Sequence, residues 1–477
     1  KKVEVVQAEN KSASKLYNPS SAFPYWHPFL RFLHRGPGKE VWNGLELSGA
    51  FHLPQELADF PLVKRIAVKH LLFPPEIAAQ IEQAQTPLPP ALIGYSSQRG
   101  YRVPVLIPYH TLMSHKFLVA RSRYGKSSLM QLILSAVLQD CTDPDVPQPG
   151  VFIIDPHHDL IEDILLLIPK HRAKDVLLLD LTDKNNPVGL NPLDASIGFS
   201  RDQAVSNLMG AFERVWSDFW GPRMSYFLKQ VLLLLYTVNE ILVQAGRPEE
   251  QYTLLDIIPV LQYKRYAIQI LSQLDRNNPR HQELMAWWQT VYFTLPDKAS
   301  FKAEIIMPII SKLSVFQDNE QLRRIVGQPI SRTPIHAAVD GKIVLCALSS
   351  RDMDDTSVNI LGSTLLNLLR RSFRLQESVP LAKRRKIFVA IDEFQAFAGA
   401  DLGKLLSEDA KFGCACLLAT QYLKQLNAIK DGLLETVLGN CETLCAFNVS
   451  AADARILEEE LQKKVSQKHI ISQPRLH

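Results

Sequence analysis

The chain has 477 residues, 46% of them hydrophobic and 21% charged, with a net charge of +4 and a pI near 8.6. Its length predicts two or three domains, and its apolar share is ample for sizeable cores. The mild basicity permits nucleic-acid binding without demanding it, and no run approaches 18 uncharged apolar residues, the richest being Val231–Val238, so no transmembrane helix is expected.

Residues 1–100 are punctuated by prolines and read as an irregular adaptor region with short helical stretches at Pro54–Phe60 and Pro75–Ala84. The chain opens at Lys1 with neither a Met nor a signal-peptide pattern. This reads as the ordered part of something longer, with any membrane anchor in flanking segments. Val103–Ile107 and Phe117–Ala120 are apolar strands. The second runs into Arg121-Ser122-Arg123-Tyr124-Gly125-Lys126-Ser127-Ser128 and then an apolar helical pattern from Leu129. Strand, Gly-Lys-Ser loop and helix is the context a phosphate-binding loop requires, with loop N–H groups and the helix start holding phosphates. Lys126 would reach the β and γ phosphates and the Ser127 hydroxyl would bind Mg²⁺, which makes ATP and Mg²⁺ the expected cofactors. Ala120 stands where the first glycine of such a loop usually sits, and Arg123 where another is common. A positive φ at position 123 would cost a non-glycine residue about 1–2 kcal/mol.

Further along, Gly150–Asp155 is a buried strand followed by Pro156-His157-His158-Asp159; both histidines read as loop residues near the site. Val176–Asp180 is a short strand, and Asn185–Asp194 is a loop. Alternating strands and helices predict an α/β fold with a mainly parallel sheet covered on both faces. From Ser200 to about Ile330 the pattern turns helical throughout, which predicts an inserted all-helical domain. Ile343–Leu348 resumes the sheet, followed by a helix near Leu361–Phe373.

Residues 386–397, KIFVAIDEFQAF, then close an apolar run with Asp392-Glu393. A buried strand ending in two carboxylates suits a Walker B segment: Asp392 on the Mg²⁺ side, Glu393 orienting or deprotonating the attacking water. The strand Cys414–Ala419 ends in Thr420-Gln421, where a glutamine suits a sensor of γ-phosphate or water, and Glu442–Phe447 is a last strand. These segments predict an ATP hydrolase with Lys126, Asp392, Glu393 and Gln421 as its catalytic set. The cation clusters Lys383–Lys386 and Arg370-Arg371 with Arg374 read first as solvated faces. The six cysteines show no zinc spacing, so reduced buried thiols are expected, with no metal beyond nucleotide-bound Mg²⁺.

Taken in order, IIDPHHDL, VGLNPLD (188–194), Trp220-Gly221-Pro222-Arg223, Arg323–Gln328, IDEFQAF and LLATQYLKQL resemble the coupling-protein branch of the HerA/FtsK superfamily. These are the TraG/TraD-like P-loop ATPases of conjugation and type IV secretion, and the resemblance runs over about residues 50–475. It implies a RecA-like core in two parts (101–197 and 331–477), interrupted by the helical domain 198–330 and preceded by the region 1–100. It also implies a ring, most simply a homo-hexamer, that moves DNA without sequence preference toward a membrane channel. Relaxase or channel components are the implied partners, and the inner face of the cell membrane the implied place.

Two departures stand out: His158 replaces a usual glycine, and Ala410 stands where relatives often carry an arginine acting on a neighbour's nucleotide. Arg223, Arg324, Arg351 and Lys411 are the candidate trans-acting cations, and Arg121 or Arg123 of the loop are alternatives for that task. The alternatives are a type IV secretion assembly ATPase, a HerA-type translocase of DNA processing or defence, and a nucleotide-binding structural subunit with impaired hydrolysis.

Overall fold

Short runs rich in Val, Ile, Leu and Ala, five of them buried along their whole length, build the main sheet. The structure, a computed structural model, describes residues 73–98, 101–217, 220–295, 299–348, 353–397, 400–429 and 432–473. The expected helix at Pro54–Phe60 and the candidate Arg351 lie outside the described residues.

The first two strands, β1 (Ala91–Gln98) and β2 (Tyr101–Ile107), form an antiparallel pair. β1 falls in the stretch read from sequence as irregular. A register shift between Leu92 and Gly94 interrupts its period-two pattern, which removes the usual signature of a strand.

The main sheet contains β3 (Lys116–Val119), β4 (Gly150–Asp155), β5 (Val176–Asp180), β6 (Ile343–Ala347), β7 (Ile387–Ile391), β8 (Cys414–Thr420) and β9 (Thr443–Ala446). Its seven strands run in the order β5-β6-β4-β7-β8-β3-β9, and every neighbouring pair is parallel. This is the expected α/β fold with a RecA-like P-loop core. Side chains alternate between two cores. Val151, Ile153, Phe388, Ala390, Leu417 and Ala419 pack on one face of the sheet, whereas Phe152, Ile154, Val389, Ile391, Cys416 and Leu418 pack on the other. Two buried faces explain why these strands read as continuous apolar runs.

The helices covering the first face include α1 (Lys126–Val137) and α2 (Asp159–Leu167). The core on the second face is continuous with that of the helices α3 (Arg201–Val215), α4 (Pro222–Gln244), α5 (Ala299–Asp318), α6 (Glu320–Val326) and α7 (Asp355–Arg374), with shorter turns between them. Helix starts follow local chemistry: Ser200 accepts from the Gln203 N–H to cap α3, and Asp354 accepts from the Ser357 N–H to cap α7. Helix α4 is long and apolar enough to cross a membrane, with mean hydropathy 1.4, but 61% of that apolar window is buried inside the protein, which marks it as a core helix.

Between β5 and β6 every regular element among the described residues is helical. The loop Asn191-Pro192-Leu193-Asp194 ties the two ends of this segment together. Asn191 donates to the carbonyls of Tyr252 and Pro329 at 3.1 and 2.8 Å. Asp194 accepts from Ser331 N–H and from Gln251, at 2.7 and 2.8 Å, and Asn239 donates to Leu193 and Tyr252 carbonyls. This motif is a satisfied buried polar joint, not part of a catalytic centre.

A second buried polar group sits at the start of β3. Lys116 is fully buried and its Nζ donates to the carbonyls of Leu112 and Ser114 at 2.7 and 2.8 Å. Burial pushes its pKa down to about 8, against the opposing pull of nearby Cys445 and Cys416. All six cysteines are free, and Cys414 and Cys416 share one face of β8 with sulfurs 3.5 Å apart.

Candidate nucleotide-binding site

Parallel strands place their carboxyl ends, and the loops that follow, along one edge of the sheet, which is where α/β proteins bind ligands. Here that edge gathers the loop after β3, Asp155 at the end of β4, Asp392-Glu393 after β7 and Gln421 after β8. Because β8 lies between β3 and β7, Gln421 lies between the loop and the carboxylates.

The loop from Arg121 to Gly125 is tied at its base. Ala120 N–H donates to the Thr420 carbonyl and Arg121 N–H to the Asn448 carbonyl, at 3.2 and 3.0 Å. Gly125 adopts φ 97°, a left-handed conformation open to glycine at little cost, and directly precedes α1. No side chain caps that helix, so its first-turn N–H groups face the loop without a side-chain acceptor. Ser122, Arg123, Ser127 and Ser128 are exposed, Arg121 and Tyr124 half-buried, and Lys126 buried. Arg123 adopts φ 68°. The position therefore does require the left-handed conformation that makes a non-glycine residue costly. His158, the other replacement of a usual glycine, behaves alike at φ 72° as the residue before α2, with Nε2 3.8 Å from Glu162.

Lys126 Nζ donates to both Asp392 and Glu393. Burial alone would lower the lysine's pKa, but the two carboxylates outweigh it and hold it above the ordinary value. Conversely, burial would raise the Glu393 carboxyl. The Lys126 charge and hydrogen bonds from Lys126, Gln395 and Gln421 outweigh burial and hold it below the usual carboxylate range. Gln421 Nε2 donates to Glu393 Oε1 at 2.7 Å, and its Oε1 accepts from the Ser122 hydroxyl at 2.8 Å. A hydrogen-bonded chain thus connects the loop to the carboxylate through the residue at the end of β8. Glu393 itself adopts φ 43°, ψ 48°, a strained conformation for glutamate of the kind that gathers at functional sites.

Two contributors were not singled out from sequence. Asp155 accepts from the N–H groups of His157 and Leu160, both at 2.8 Å, while burial and the neighbouring Asp392 raise its pKa. Gln395 Nε2 donates to Glu393 Oε2 at 2.5 Å. An acid ending an apolar strand was the available signal for Asp155; Gln395 carried none beyond lying two residues after Glu393.

The candidate trans-acting cations fall in different settings. Arg324 pairs with Glu320 one helical turn away and donates to the Lys184 carbonyl at 3.1 Å, so it is engaged in holding its own segment. Lys411 lies over the Phe412 ring at 5.1 Å, which Arg374 and Arg384 also approach, at 4.8 and 5.1 Å. Both Ala410 and Lys411 precede β8, whose seven residues separate them from Gln421 by about 20 Å. Arg223, by contrast, is exposed in the first turn of α4 and forms no ion pair among the described residues.

Residues 313–467 match the family described as the type IV secretion-system coupling protein DNA-binding domain. The matched segment covers about a third of the chain. It contains Asp392, Glu393, Gln395 and Gln421, whereas the loop 121–128 lies outside the match. No curated protein matches the chain. Among solved structures, the plasmid coupling protein TrwB in complex with the non-hydrolysable ATP analogue ADPNP has a similar fold. Its TM-score is 0.57 at 14% identity, over 84% of this chain and 87% of that one. TrwB with ADP and Mg²⁺ is alike at 0.57 and 14%, over 85% and 88%. The trigonal form of TrwBdeltaN70 with sulphate gives 0.57 and 14%, over 87% and 90%. The coupling-protein resemblance read from the motifs is thus met by a family match over residues 313–467 and by a similar fold.

Proposed function

We propose that this chain is a ring-forming ATPase that couples ATP hydrolysis to moving DNA, or a DNA–protein complex, into a type IV secretion or conjugation channel. The observation that carries the reading is the convergence of Lys126, Asp392, Glu393 and Gln421 at one sheet edge, three of them within the segment that resembles a coupling-protein DNA-binding domain.

The residues present fit Mg-ATP. The uncapped start of α1 and the loop N–H groups would hold phosphate oxygens, and Lys126 would exchange its carboxylate partners for the β and γ phosphates. Ser127 and Asp392 would hold Mg²⁺, which when bound supplies charge neutralisation at the phosphates. Glu393, freed from Lys126 but still held by Gln421 and Gln395, takes a proton from the attacking water. Gln421 then reports the occupancy of the loop to the carboxylate through Ser122. Transition-state charge beyond this needs a cation from a neighbouring subunit, and Arg223 is the exposed, unpaired candidate among the described residues. A homo-hexameric ring at the inner face of the cell membrane, working with relaxase or channel components, is the assembly this reading implies.

Exchange of Glu393 for glutamine tests the assignment. Glu393→Gln keeps shape and hydrogen bonding but removes the base, so ATP should bind and remain unhydrolysed, while Lys126→Ala should lose both binding strength and turnover. Parent-level hydrolysis by Glu393→Gln would move the base elsewhere. A second reading, a nucleotide-binding subunit with little turnover, is favoured by the costly φ of Arg123 and by Ala410; turnover of the unmodified protein decides against it.

A further inference from the structure

The two oxygens of the Glu393 carboxylate are held differently. Oε1 accepts from Lys126 and from Gln421, whereas Oε2 accepts from Gln395 Nε2 at 2.5 Å. Lys126 and Gln421 both have further partners, Asp392 for the first and Ser122 for the second. Among the described residues Gln395 has the carboxylate alone.

The backbone beneath Gln395 is fixed by the core. It sits in the single turn Phe394–Ala396, flanked by two buried rings. Phe394 packs edge-on against Phe117 of β3 at 6.0 Å, and Phe397 lies against Gly362 of α7, where an added Cβ would fall 2.1 Å from the ring. Neither ring can shift without disturbing the sheet or α7. Gln395 Oε1, meanwhile, is buried and accepts no hydrogen bond among the described residues. An unsatisfied buried amide oxygen is unfavourable, so packing alone does not account for a glutamine at this position. Its other end accounts for it: a rigid turn aims an N–H at the second oxygen of a carboxylate whose own backbone is strained.

We propose that Gln395 is a positioning residue that fixes the rotation of the Glu393 carboxylate, keeping Oε1 turned toward Gln421 and the phosphate loop. This role rests on the hydrolase reading above. It matters most when Lys126 is engaged by phosphate, because Gln395 and Gln421 are then the donors that hold the carboxylate. With Gln395 gone, Oε2 is released and the carboxylate rotates about its last torsion, which is soft. Small misplacements of a reacting group lower the rate without weakening binding.

The test uses the assembled protein and follows hydrolysis of ATP, affinity for a non-hydrolysable ATP analogue and thermal midpoint. Gln395→Met removes the donor at similar volume. It should lower kcat by about tenfold while leaving analogue affinity within about twofold. Gln395→Asn retains an N–H on a shorter arm and should recover part of the rate. An unchanged kcat in Gln395→Met would overturn the role. So would a parallel loss of kcat, affinity and thermal midpoint in both variants, which marks a purely structural residue. If the unmodified protein binds the analogue but never turns ATP over, the hydrolase reading falls and this role with it; an active parent beside an equally active Gln395→Met sinks the Gln395 role alone.

Discussion

Arg123 and His158 each occupy a left-handed backbone position that related motifs fill with glycine, at φ 68° and 72°. For an L-residue with a side chain that conformation costs about 1–2 kcal/mol, part of which is recovered because glycine is freer when unfolded. Arg123→Gly and His158→Gly should therefore each raise unfolding free energy by about 1 kcal/mol, read as a shift in the denaturant midpoint at unchanged slope. Arg123→Val, β-branched, should lower it. Stabilities unchanged in both glycine variants would show that the loop side chains repay their backbone. The first of these sites was legible in the sequence because motif spacing marks which loop position tends to be glycine. The hydrogen bond from Gln395 to Glu393 was not, because it depends on a turn pinned by Phe117 and Gly362, residues far away along the chain.

Among the elements, β3 carries an electrostatic signature of its burial that a titration can read. Lys116 opens it, fully buried, with its pKa pushed from 10.5 down to about 8 by burial. Between those values the unfolded chain carries a proton that the folded chain lacks, so stability attributable to this group rises with pH across that window. The total rise is about 3 kcal/mol, and Lys116→Met should lack it. Denaturant unfolding of both proteins from pH 7.5 to 10.5 isolates the group, since thiols and tyrosines titrate in each; curves that stay parallel would refute the assignment. The strands as a class were easy to read because two buried faces produce continuous apolar runs. β1 escaped because its irregular register against β2 breaks the alternation on which strand reading depends. Helix α4 shows the reverse limit: composition alone fits a membrane span, and only its packing identifies a core helix.

At the scale of the whole molecule, sheet order explains why the motifs could be connected before any fold was known. Strand β8 between β3 and β7 obliges Gln421 to meet both the loop and Glu393. Of the candidate cations outside the loop, Arg324 is engaged locally and Lys411 sits at the opposite end of β8 from the site, which leaves Arg223 exposed and without an ion pair among the described residues. This is the physical ground for proposing a ring, and Arg223→Ala should lower turnover while leaving analogue binding unchanged. DNA contacts made by lysine and arginine to phosphates are independent of sequence and weaken steeply with salt. The most direct measurement is therefore the ATPase rate of the assembled protein with and without DNA, using unrelated single- and double-stranded sequences at low and physiological salt. The account predicts stimulation by DNA of any sequence, diminishing as salt rises. An assembled, ATP-binding ring whose turnover and DNA binding are both absent or indifferent to DNA would contradict it.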